Sequence, residues 1–109
     1  KPGLQFIAGP EYYLTSDSTL TQDKRYTISI KADRAEDLSP NTYFEVVRTY
    51  SGSADTTVFD TYLTGNEQVS YQYTHTFTTL KKAGTERFTF TVKNNHGIAN
   101  QKILVFTVK

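Results

Sequence analysis

The chain has 109 residues, 37% of them hydrophobic and 21% charged, with a net charge of +1. That length holds one domain with a core of its own. The near-neutral balance excludes the basic face that nucleic-acid binding needs, and the absence of cysteine excludes disulfides, thiolate metal sites and a cysteine nucleophile.

In chain order, Lys1-Pro2-Gly3 reads as the end of a tether, and residues 4–109 read as a single domain. The chain has no methionine, not even at position 1, and reads either as a processed form from which an export signal has been removed or as a fragment of something longer. Residues 4–8 are a short apolar strand closed by Gly9-Pro10. Residues 12–20 are mixed and broken by Ser16-Asp17-Ser18, as in a kinked edge segment. Residues 25–32 alternate, with Tyr26, Ile28, Ile30 and Ala32 inward and Thr27, Ser29 and Lys31 outward. Residues 33–39 form an acidic loop before Pro40. Residues 42–50 are a strong strand, with Phe44, Val46 and Tyr50 facing away from Tyr43 and Val47. After a turn, residues 57–63 give a further strand, closed by Gly65-Asn66.

Residues 68–79 carry the clearest signal of all. Val69, Tyr71, Tyr73, His75 and Phe77 share one face, and Ser, Gln and Thr fill the other. Lys81-Lys82 sits in a turn before Gly84. Residues 86–93 place Phe88, Phe90 and Val92 inward; Asn94-Asn95-His96-Gly97 supplies a hairpin loop; residues 102–108 end the chain as a strand. No window keeps a helical apolar period, and no run of about 18 apolar residues could cross a membrane as a helix. The pattern predicts an all-β domain, an immunoglobulin-like Greek-key β-sandwich of about seven strands, with a closed barrel as its rival.

The C-terminal part carries a family resemblance. Gly84 opens the alternating run Phe88-Thr89-Phe90-Thr91-Val92. The Asn94-Asn95-His96-Gly97 loop follows, then Val105-Phe106-Thr107-Val108. This resembles the last two strands of PKD-like and other bacterial immunoglobulin-like domains. Glu45-Val46-Val47-Arg48 and Asp55-Thr56-Thr57 add to the likeness. The chain is similar to small cell-surface lipoproteins of Gram-negative gut anaerobes, in which one such domain follows a lipidated cysteine. The resemblance implies an extracytoplasmic address, at the cell surface or in the periplasm. With no cysteine here, an anchor is expected upstream, and contact with a membrane only through it. The buried Trp and paired Cys of antibody-type domains are both missing.

Few residues carry chemistry. His75 lies between Tyr73 and Phe77 and reads as a packed imidazole; His96 reads as a turn residue. Two histidines on unrelated segments make no zinc site, and no nucleophile elbow or phosphate loop occurs. The sequence therefore predicts no catalytic role, no metal and no cofactor. Asp33, Glu36 and Asp37 supply too few oxygens for calcium and read as a solvated loop. Asp17-Ser18-Thr19 and Asp55-Thr56-Thr57 match the short pattern that resembles the O-glycosylation acceptor of such anaerobes. The eight tyrosines exceed what a small core hides. Tyr12, Tyr13, Tyr50 and Tyr62, near strand ends or on ambiguous faces, are the candidate recognition residues. They imply a monomeric binding or structural module for a protein partner, or alternatively a carbohydrate-binding module that stacks sugars on tyrosine.

Overall fold

Alternation of small hydroxyl and large apolar side chains is resolved into two sheets in the computed structural model, which describes residues 1–9 and 13–109. Eight strands occur among the described residues: β1 (Gly3–Phe6), β2 (Ser18–Leu20), β3 (Arg25–Asp33), β4 (Asn41–Tyr50), β5 (Thr56–Tyr62), β6 (Ser70–Thr78), β7 (Gly84–Asn94) and β8 (Ala99–Val108). One sheet runs β1-β3-β6 and the other β2-β8-β7-β4-β5. Every pairing is antiparallel except β2 with β8. The chain crosses between sheets after β1, β2, β3, β5 and β6, so the strands form an immunoglobulin-like sandwich and not a closed barrel. Of the segment read as a kinked edge, residues 12–20, Ser18–Leu20 is β2, an edge of the five-stranded sheet, while β1 before it is an edge of the three-stranded one.

The core is the space between the inner faces. Ile28, Ile30, Ala32 and Phe77 come from one sheet. Phe44, Val46, Phe88, Phe90, Val92, Leu104, Phe106 and Val108 come from the other. Phe77 meets Phe88 across the interface, with ring centroids 4.5 Å apart, and Phe6 packs edge-on against Phe90 at 5.5 Å. Burying each such ring contributes on the order of 2–3 kcal/mol, which is how a chain without disulfides holds two sheets together. The outer face of the three-stranded sheet is hydroxyl-rich. Thr27 pairs with Thr76 at 3.2 Å and Ser29 with Thr74 at 3.1 Å, cross-strand hydrogen bonds of the kind Thr favours.

Three local features depart from the sequence reading. The strand expected over residues 68–79 begins at Ser70, because Gly65–Gln68 closes into a 3₁₀ turn whose entry is tied by the Thr64 N–H donating to the Glu67 carboxylate at 3.1 Å. The segment read as a tether is built into the sandwich. Pro2 is buried, its carbonyl accepts from Asn100 Nδ2 at 2.9 Å, and Gly3 pairs with Asp33. The third is a buried ion pair. The parity that sends Phe44 and Val46 inward also sends Arg48 inward, and the parity of Phe88 and Phe90 does the same for Glu86. Arg48 Nε donates to Glu86 Oε1 at 3.1 Å, and its Nη2 donates to the same oxygen and, at 2.8 Å, to the Thr78 carbonyl. Glu86 Oε2 accepts from the Leu80 N–H at 3.1 Å. The pair thus ties β4 and β7 to the exit of β6 in the opposite sheet.

Candidate functional site

The outer face of the five-stranded sheet is a grid of cross-strand neighbours. One row runs Lys93, Tyr43, Tyr62 from β7 to β5, and the next runs Thr91, Glu45, Asp60. The third row runs Ile103, Thr89, Val47 from β8 to β4, and the fourth runs Val105, Arg87, Thr49. Ile103 is 50% exposed and Val105 36% exposed, two apolar side chains on β8 with Arg87 beside Val105, and the charged row of Glu45 and Asp60 lies between them and Tyr62. Exposed apolar side chains among polar ones are a form that protein-binding surfaces take.

Tyr62 ends the first row, on β5, and is 79% exposed. Its ring lies 5.4 Å from that of Tyr43, tilted by 55°. The Tyr43 hydroxyl donates to Asp60 Oδ2 at 3.2 Å and to Glu45 Oε2 at 3.5 Å. Its pKa is pushed up to about 12, by desolvation first and then by the negative charge of Glu45 and Asp60. The Lys93 ammonium lies 5.9 Å from the centre of the Tyr43 ring. Tyr43, Glu45, Tyr62 and Lys93 together border an open hollow of about 470 Å³. The sequence pattern places Tyr43 on a strand face but does not mark it as a site residue. The signal that could find it is its position in the strand before the turn, since a hairpin register sets it beside Tyr62.

The other tyrosine candidates do not join this cluster. Tyr12 lies outside the described residues. Tyr13 is half-buried, its ring seated directly on Gly9, where any Cβ would clash with it; that is a packing role. Tyr50 is half-buried at the far end of β4, with the Arg48 guanidinium 4.6 Å from its ring centre. There it lines a hollow of about 230 Å³ with Thr49, Ser51, Thr85, Arg87 and Val105.

The remaining candidates have structural partners. His75 Nδ1 lies 3.0 Å from the Tyr73 hydroxyl, and the ring packs 5.7 Å from Phe88. Burial, and then the nearby Arg48 charge, hold its pKa below the usual imidazole value. His96 is exposed at the hairpin tip. Asp37 accepts the Ser39 N–H at 3.0 Å, a bond that lowers its pKa, and Asp33 lies 3.9 Å from Lys31. Among the described residues no group of three or more His, Cys, Asp or Glu is placed to hold a metal ion. In the two Asp-Ser/Thr motifs, Asp17 accepts the Val105 N–H at 2.8 Å, and Asp55 accepts the Thr49 hydroxyl at 2.5 Å. Thr19, Thr56 and Thr57 are exposed, whereas the half-buried Ser18 donates to the Ser16 carbonyl at 2.9 Å.

No protein-family model and no curated protein sequence matches the chain. Solved structures do. The superoxide reductase (neelaredoxin) of Ignicoccus hospitalis superposes with a TM-score of 0.57 at 12% identity, over 99% of this chain and 80% of that one. A substituted form of the same enzyme gives 0.56 at 14%, over 99% and 79%. Murine CRIg gives 0.53 at 12%, over 100% and 98%. The first two correct the expectation of a chain without catalysis, because an enzyme is built on this same arrangement of strands. An immunoglobulin-like sandwich does not by itself argue against catalysis, since chemistry depends on the side chains a fold carries. At these identities the likeness extends to the fold, and all three share with this chain the immunoglobulin-like β-sandwich.

Proposed function

We propose that the chain is an extracytoplasmic recognition module that engages a protein partner through the outer face of its five-stranded sheet. The observation that carries the reading is the exposed pair Ile103 and Val105 on β8, with Arg87 beside Val105 and the exposed Tyr62 on β5 of the same face. Tyr and Arg at the margin of an apolar patch are the side chains on which protein interfaces most often depend. The extracytoplasmic address, and a lipid anchor in the full-length form, rest on the resemblance to PKD-like lipoproteins. Palmitate labelling and fractionation of the full-length gene product test them; a protein found only in the cytosol would remove both.

A second reading has its own support. Two tyrosine rings beside Glu45 and Asp60 supply a stacking surface and hydrogen-bond acceptors for a sugar. The 55° tilt counts against it, since the rings do not form one flat platform. Capture from envelope extract, run beside a glycan array, separates the readings. The protein reading expects a partner that is lost with Ile103→Asp and weakened with Tyr62→Ala, and a silent array. Glycan binding lost with Tyr62→Ala but kept with Ile103→Asp would transfer the function to the second reading.

A further inference from the structure

Sheet edges invite other strands, and proteins blunt them with short strands, charges, prolines or bulges. Three of the four edges here are blunted. β1 and β2 have four and three residues. β5 carries Asp60, and a register shift opposite Val46 and Val47 leaves Val58 unmatched. β6 is the exception, with nine residues reading Ser-Tyr-Gln-Tyr-Thr-His-Thr-Phe-Thr and neither proline nor acidic or basic residue other than His75. Its ladder with β3 is unbroken from Ser70 to Thr78.

The parity of that ladder fixes which backbone groups face outward. Arg34 N donates to the Val69 carbonyl and Thr79 N to the Lys24 carbonyl, so odd-numbered residues of β6 bond inward to β3. Gln72, Thr74 and Thr76 therefore turn their N–H and C=O groups to the open side. The Thr78 carbonyl, next in that row, is taken by Arg48. On the inner face, Tyr71, Tyr73 and His75 are only half-buried, because no strand lies beyond them.

We propose that β6 pairs antiparallel with β6 of a second copy, about a two-fold axis at Thr74, joining two three-stranded sheets into one of six. The sequence is self-complementary in that register. Thr74 meets its own mate, Gln72 meets Thr76, and Tyr73 meets His75 in the closer, non-hydrogen-bonded pairing where aromatic contacts are strongest. No like charges face each other. Roughly six backbone hydrogen bonds form, and the half-exposed aromatic row is covered. An isologous contact of this kind closes on itself and leaves only the blunted edges open. The dimer replaces the monomer expected from sequence, and it does not depend on the recognition surface proposed above, which lies on the other sheet.

The absence of native cysteine makes the test direct. Residues of a hydrogen-bonded antiparallel pair lie about 5.5 Å apart, inside the roughly 4.4–6.8 Å that a disulfide spans. Thr74→Cys is expected to oxidise to a covalent dimer at least about tenfold faster than Thr57→Cys on β5, because prior pairing raises the local thiol concentration. Light scattering of the native chain is expected to give a dimer. Thr74→Pro and, independently, Thr76→Lys are expected to give a folded monomer with an unchanged circular dichroism spectrum, since the Thr74 and Thr76 backbone groups face the open side; the melting midpoint falls modestly, through the lost association and the lost hydroxyl bonds to Ser29 and Thr27. A native chain monomeric at about 100 µM, a concentration ample for a micromolar pairing, would overturn the proposal. So would equal cross-linking at both positions. A monomer that protects the Gln72, Thr74 and Thr76 amides only on adding a foreign extended peptide would assign the edge to another protein and sink the self-pairing.

Discussion

Glu86 is 2% exposed, and both of its oxygens are used: one by Arg48 and one by the Leu80 N–H. Such a pair adds little over a hydrophobic replacement, but removing one member strands the other's charge. Glu86→Ala is therefore expected to cost about 3–5 kcal/mol in denaturant melts. Arg48→Met combined with Glu86→Leu should cost clearly less than either single change; additive losses would show that the two residues do not act as a pair. His75 adds a pH dependence whose sign follows from its depressed pKa. The unfolded chain takes up a proton near the ordinary value of 6.5, the folded chain only at lower pH. Stability is complete above 6.5, falls as pH drops through the interval between the two values, and levels off below the folded one. His75→Gln should flatten that part of a melting-temperature profile. Tyr62 is the contrasting case. Its exposure predicts that Tyr62→Ala changes stability by less than about 0.5 kcal/mol while reducing capture of the partner. Alternation put the right aromatic residues inside, but it could not reveal Arg48 and Glu86. A charged residue at an inward position reads as an error in the pattern until its partner, 38 residues away, is in view.

The hairpin joining β7 to β8 shows what an element owes to local sequence alone. Asn94 Oδ1 accepts the N–H groups of His96 and Ile98 at 2.9 and 3.0 Å, and Gly97 sits at φ 76°. A Cβ at Gly97 would touch nothing within 4 Å, so Gly97→Ala isolates the backbone cost of a left-handed residue. The expected loss is about 1–2 kcal/mol by thermal or chemical melting; no loss would mean that the turn relaxes to another form. That loop was legible because Asn and Gly are the residues such a turn requires. The strand beginning at Ser70 was less so. The 3₁₀ turn before it rests on the Thr64 N–H reaching the Glu67 carboxylate, a Thr-x-x-Glu spacing present in the sequence but invisible to a reading based on alternation alone. The division of the N-terminal region between two sheets was also hidden, since a three-residue parallel strand such as β2 leaves almost no periodic signal.

At the scale of the molecule, one core is shared by both sheets, so neither sheet has a hydrophobic face to bury without the other. Unfolding is expected to be a single transition, with far-ultraviolet circular dichroism and tyrosine fluorescence changing together; separated midpoints would indicate that one sheet survives alone. Folding is expected on a millisecond-to-second timescale in stopped-flow experiments, because β2 must find β8 and β3 must find β6 across long stretches of chain. The sequence by itself determined the class of fold, most strand positions and the inward aromatic set. Each of these follows from a period of two that water enforces one residue at a time. Only the tertiary structure decided which strands are neighbours. It therefore also decided that Tyr43 lies beside Tyr62, that Tyr13 and Tyr50 lie elsewhere, and that β6 is left with one open edge. Pairing order is a property of the closed core, where contacts between distant segments compete, and no short window of residues records the outcome of that competition.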